Sequence, residues 1–145
     1  MKGLVTITVF TMLFSGQLYA EASSSKISDA KKQIKSSLAI SIEFKKCFEQ
    51  AKSKAEASVC EQTQLKANKK VLGSNNKHST TTVSLVDLMG EWNEQTKKEG
   101  VEYIEKGTRF LTFMNKCIQP VTTEDAFGDC TEKSFNKAYP SMSGQ

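Results

Sequence analysis

The sequence predicts an all-α fold: a small bundle of two helical hairpins, about four to five helices in all, with each hairpin stapled by its own disulfide. Three observations carry this. Apolar residues recur at helical spacing over long stretches free of Pro and Gly, and no strand-like alternation appears. The four cysteines form two matched pairs, Cys47 with Cys60 and Cys117 with Cys130, with twelve residues inside each pair. The first twenty residues have the layout of a secretory signal, which implies a compartment where disulfides persist.

The chain opens with Lys2 as a positive n-region, then an uncharged apolar core from Leu4 to Phe14. Ser15, Gly16 and Gln17 interrupt it, and Leu18-Tyr19-Ala20 ends on a small residue. An apolar run of about 11 residues is short of the ~20 that span a bilayer. Residues 1–20 are therefore expected to be a signal peptide cleaved near Ala20, rather than an anchor. Residues 21–145 are expected to form a single helical domain, secreted to the bacterial periplasm or extracellular space. A domain of that size buries a core without help from a metal.

After a polar tail over 21–25, Ile27, Ala30, Ile34, Leu38 and Ile42, then Phe44, Cys47, Phe48 and Ala51, mark one long helix from Lys26 to Ala51. Ser53-Lys54-Ala55-Glu56 has the spacing of a capping box and starts a second helix that carries Ala57, Cys60, Gln64, Ala67 and Val71. Gly73 is placed to stop it. Residues 73–82 are a polar linker between hairpin halves at about 26–72 and 84–137. Ser84 to Asp87 can cap a third helix with Leu85, Leu88, Met89 and Trp92. Gly100 would end or kink that helix before a fourth one carrying Val101, Ile104, Leu111 and Ile118, or the two run on as one long rod, since Gly in a helix costs only about 1 kcal/mol. Pro120 forces the fourth helix to stop. A looser cap at Thr122 to Asp125 starts a fifth, with Ala126, Phe127, Cys130 and Phe135, and Tyr139-Pro140 begins a polar tail.

Four cysteines allow three connectivities. Each pair lies about a turn and a half on either side of a predicted turn, and antiparallel helices bring such positions to one level. Cys47–Cys60 and Cys117–Cys130 are therefore the expected disulfides, each stabilising by roughly 3 kcal/mol through the unfolded state. There is no C-x-x-C for redox exchange, and C-x12-C is not a zinc spacing. Aligned on their cysteines, the two segments match Lys46 with Lys116, Phe48 with Ile118 and Ala51 with Val121. A duplicated hairpin and two independent solutions to one stapling problem both fit.

The expected mature chain carries a net charge of +3, too little to imply nucleic acid, but it is unevenly spread. Residues 26–77 carry +7 and residues 83–145 carry −3. Either the halves face and neutralise one another, or the Lys-rich face attracts an anionic partner.

Little in the sequence points to catalysis. His78, the single histidine, sits in the polar linker without an orienting partner. No G-x-S-x-G, P-loop or H-E-x-x-H is present. Glu91 with Glu94, and Glu102 with Glu105, are spaced as helix-borne carboxylate pairs, but without the histidine that di-iron bundles add. They read as a solvated acidic face. The aromatics Phe44, Phe48, Trp92, Tyr103, Phe110, Phe127 and Phe135 read as core, and Phe113, off the main stripe, as a candidate anchor for a partner. The expectation is a non-enzymatic helical protein-binding module acting on another exported or envelope protein as an adaptor, inhibitor, immunity or envelope-machine accessory protein. It needs no cofactor, metal or nucleic acid and spans no membrane. A carrier of small apolar ligands inside the bundle is the alternative.

Overall fold

The computed structural model describes residues 24–73 and 83–141. The expected signal peptide, His78 with linker residues 74–82, and residues 142–145 lie outside the described residues.

Five helices follow in order: α1 (Ser24–Gln50), α2 (Lys54–Leu72), α3 (Leu85–Leu88), α4 (Glu94–Cys117) and α5 (Glu124–Ala138). Among the described residues there is no strand. The architecture is the predicted all-α bundle of two stapled hairpins, with α1 and α4 as its axis. They run antiparallel: Lys31 reaches Gln119, Ser41 meets Thr108, and Phe48 lies on Gly100. α2 folds back along α1, α5 folds back along α4, and α3 is a single turn against α2.

The caps explain the boundaries. Ser53 Oγ accepts the Glu56 amide, and the Glu56 carboxylate accepts the amide of Lys52, one residue before the cap. Ser84 caps α3 through the Asp87 amide. Gly90, at φ 70°, then turns the chain out of helix, so the third helix ends far short of Trp92. α4 begins instead at a reciprocal capping box between Asn93 and Thr96 and runs unbroken through Gly100. The helix break expected at Gly100 thus sits ten residues earlier. Thr123 rather than Thr122 caps α5, through the Ala126 amide.

Two cores lie at opposite ends of the α1–α4 pair. One gathers Ile27, Ala30 and Ile34 of α1 with Phe110, Leu111, Met114 and Ile118 and with Cys130 and Ala138 of α5. The other gathers Phe44, Phe48 and Ala51 with Ala57 and Cys60 of α2, Val86 of α3 and Ile104 of α4. Both cores draw on both halves, so the halves pack as one body along α1 and α4. Between the cores the interface turns polar: buried Ser41 and half-buried Thr108 share a hydroxyl hydrogen bond of 2.7 Å, and beside the second core Lys45 pairs with Glu105 at 2.7 Å.

The hairpins are disposed alike. The disulfides are Cys47–Cys60 and Cys117–Cys130, with Cα separations of 5.8 and 5.7 Å. Because α1 and α4 are antiparallel, the staples sit at opposite ends of the axis. A shift of 70 positions carries one pair onto the other. It carries several buried residues onto buried residues, although buried Ile27, Ala57 and Glu61 fall on half-buried Lys97, Phe127 and Thr131. Ala30 falls on Gly100, Ile34 on Ile104, Phe44 on Met114, Phe48 on Ile118 and Ala51 on Val121, and all ten are buried. The two hairpins thus share part of a packing pattern as well as the cysteine spacing.

Candidate interaction surface

The side chains with chemical potential are largely taken up by the fold. Cys60 and Cys130 are buried and bonded to Cys47 and Cys117, and among the described residues there is no free cysteine. Glu91 stands in the bend before α4 and Glu94 at its first turn, so they do not share a helix, and both are exposed. Glu102 is exposed, while Glu105 binds Lys45. That hydrogen bond holds the Glu105 carboxyl below the usual carboxylate range and raises the Lys45 ammonium. Among the described residues no group of three or more His, Cys, Asp or Glu is placed to hold a metal ion.

The aromatic rings pack on one another. Phe48 takes Phe44 and Trp92 edge-on, at centroid distances of 5.8 and 5.7 Å. Phe110 meets Phe135 at 6.4 Å, and Phe135 meets Tyr139 at 4.9 Å. Burial, reinforced by Tyr103, pushes the Tyr139 phenol up to about 12. Phe113 is half-buried against the first core, and Lys137 Nζ lies 5.8 Å from its ring centroid.

Glu61 is a residue that helical periodicity alone does not reveal. It lies on α2 with 5% exposure and accepts both the Ser84 hydroxyl and the Leu85 amide at 2.6 Å. It therefore ties α2 to α3 across the linker and fills an open amide at the start of α3. Three lysines make similar ties through helix-end and loop carbonyls. Lys31 donates to Gln119 O at 2.8 Å, Lys54 to Gly90 O at 2.8 Å, and Lys97 to Ala51 O at 2.9 Å. Each joins the basic half to the acidic half. Direct charge neutralisation between the halves includes the Lys45–Glu105 pair.

What remains for a partner is the solvent surface of a stapled helical body. Among the described residues Val59 on α2 is the most exposed large apolar side chain at 66%, with Leu88, Val83 and Ile42 less so. From Val59 to Lys70 the exposed positions of α2 are Val59, Gln62, Thr63, Lys66, Lys69 and Lys70. These recur at helical spacing and form one outward face. The only carboxylate in that stretch, Glu61, points inward.

Compared with protein-family models, curated proteins and solved structures, the chain matches none. Among the described residues no helix is long and apolar enough to cross a membrane. The two disulfides are compatible with an oxidising, exported environment.

Proposed function

We propose that this chain is an exported, non-enzymatic protein-binding module, released by cleavage near Ala20 and acting in the periplasm or extracellular space. It presents a rigid helical surface to another exported or envelope protein, as an adaptor, inhibitor, immunity or accessory factor would. The observation that carries the reading is the interlock of the two hairpins. The α1–α4 pair runs through both cores, each hairpin has its own staple, and the polar ties are spent on holding the halves together. Such a body gives an outer face a fixed shape and so lowers the ordering cost of binding. The mutual packing of the aromatic rings favours this reading over a ligand carrier.

The test is recovery of partners from the native compartment with the tagged mature chain, followed by mass spectrometry under native conditions. A stoichiometric protein partner is the expected result. Recovery of the chain alone, or loaded with lipid-like molecules, would overturn it.

A further inference from the structure

We infer that the outward face of α2, from Val59 to Lys70, is the docking surface, and that its partner is an acidic protein face rather than a membrane or a nucleic acid. The inference rests on the protein-binding reading above and names the chemistry of the partner.

The lysine arrangement is the starting point. Lys66 is three residues from Lys69 and four from Lys70, so the three ammonium groups crowd one side of the helix at like-charge spacing, which weakens a helix. No carboxylate lies three or four residues from any of them. Other exposed lysines are placed differently: Lys32 pairs with Asp29 and Lys46 with Glu43. Lys69 and Lys70 complement the C-terminal end of the helix dipole, but Lys66 lies a turn further back.

The second hairpin supplies the internal control. Under the 70-position shift, Val59, Gln62 and Lys66 fall on Asp129, Glu132 and Asn136, and Lys69 and Lys70 fall on Tyr139 and Pro140. Thr63 falls on exposed Lys133, so the same hairpin geometry is built with an outer face that mixes carboxylates and lysines and has no three-lysine cluster free of carboxylates. The fold does not require the lysines of α2. An anionic surface against them would relieve their mutual repulsion, and Val59 offers one apolar contact about 16 Å along the face from Lys70.

The occupant follows from what the face lacks. With a single large exposed apolar side chain, it has no hydrophobic stripe to sink into a bilayer. It carries no arginine for bidentate phosphate recognition. A row of Asp and Glu on a protein surface, with room for Val59 at one end, is the complement.

The experiment is an amide-resolved NMR titration of the isotope-labelled mature chain with a Glu-rich helical peptide. Phosphatidylglycerol vesicles and a short DNA duplex are titrated in parallel. Shifts confined to residues 59–70 are expected with the peptide. K66E/K69E/K70E should weaken peptide binding by about tenfold, and charge-matched reversal of exposed Lys98, Lys106 and Lys116 on α4 by less than about twofold. V59S should weaken it at unchanged salt dependence. Shifts spread over α1, α4 and α5, equal loss in both triple variants, or tighter binding to vesicles or DNA would each overturn the inference. A protein partner recovered equally well by wild type and K66E/K69E/K70E would leave the protein-binding reading standing and remove this surface from it.

Discussion

The ring of Phe48 lies directly on the backbone of Gly100: a methyl group added there would stand 2.8 Å from two ring carbons and 3.0 Å from the Met89 terminal methyl. Phe48 is fully buried and held edge-on by Trp92, so its ring has little room to yield. Gly100→Ala is therefore expected to destabilise the protein by about 1–2 kcal/mol, although alanine is the better helix former by ~1 kcal/mol. Gly128 in α5 is the counter-example, with open space around it, and Gly128→Ala should stabilise by about 0.5–1 kcal/mol. Urea unfolding of the two variants checks both signs.

Glu61 supports a second expectation. Glu61→Ala leaves the Leu85 amide and the Ser84 hydroxyl without their acceptor in a buried site, at a cost of about 2–3 kcal/mol. The diagnostic readout is hydrogen exchange. The Leu85 amide should exchange much faster in this variant while the α1 and α4 amides keep their protection. Unchanged exchange at Leu85 would remove Glu61 as the tie between α2 and α3.

Each disulfide closes a short local loop, and the two lie at opposite ends of the α1–α4 axis. Replacing either pair by alanines should cost roughly 3 kcal/mol, acting mainly on the unfolded chain. Non-reducing peptide mapping should return Cys47–Cys60 and Cys117–Cys130, and a link between residues of different hairpins would contradict the fold.

Two titrations set the pH dependence. The Tyr139 phenol is raised from 10.0 to about 12, so its stabilising contribution is complete below pH 10 and is lost as pH rises from there towards 12. Tyr139→Phe should remove that alkaline loss, and absorbance titration of the phenolates should show a late-titrating tyrosine. The Lys45–Glu105 pair contributes fully between the ordinary values of 4.5 and 10.5. Its contribution fades below that range, as Glu105 is protonated through its lowered value, and above it, as Lys45 loses its proton. Both side chains are partly exposed, so the pair is worth about 0.5 kcal/mol and less at high salt, which a double-mutant cycle would measure.

The long helices and both staples are legible in the sequence because their signals are local. Recurrence of Ile27, Ala30, Ile34, Leu38, Phe44 and Phe48 at helical spacing marks α1, and the identical C-x12-C spacing is a property of a hairpin turn. What is not legible depends on a distant partner. The sequence leaves open whether the helix ends, kinks or runs on at Gly100, because the ring of Phe48 that packs on it comes from another helix, and it gives no sign of the acceptor role of Glu61, whose donors Ser84 and Leu85 lie across the linker. The repeat likewise shows in which positions are buried far more than in which residues are shared, since packing conserves size and place rather than identity.

The central claim is that this stapled body binds another protein through its basic helix face. The most direct measurement is zero-length carbodiimide coupling in the native secretory compartment, which joins a lysine amine to a carboxylate already in contact with it. The internal Lys45–Glu105 pair should couple and report that the chemistry worked. The expected result is Lys66, Lys69 or Lys70 joined to an Asp or Glu of a second protein, in an adduct that K66E/K69E/K70E does not form. Coupling of Lys45 to Glu105 with no adduct between the chain and any other protein would contradict the account.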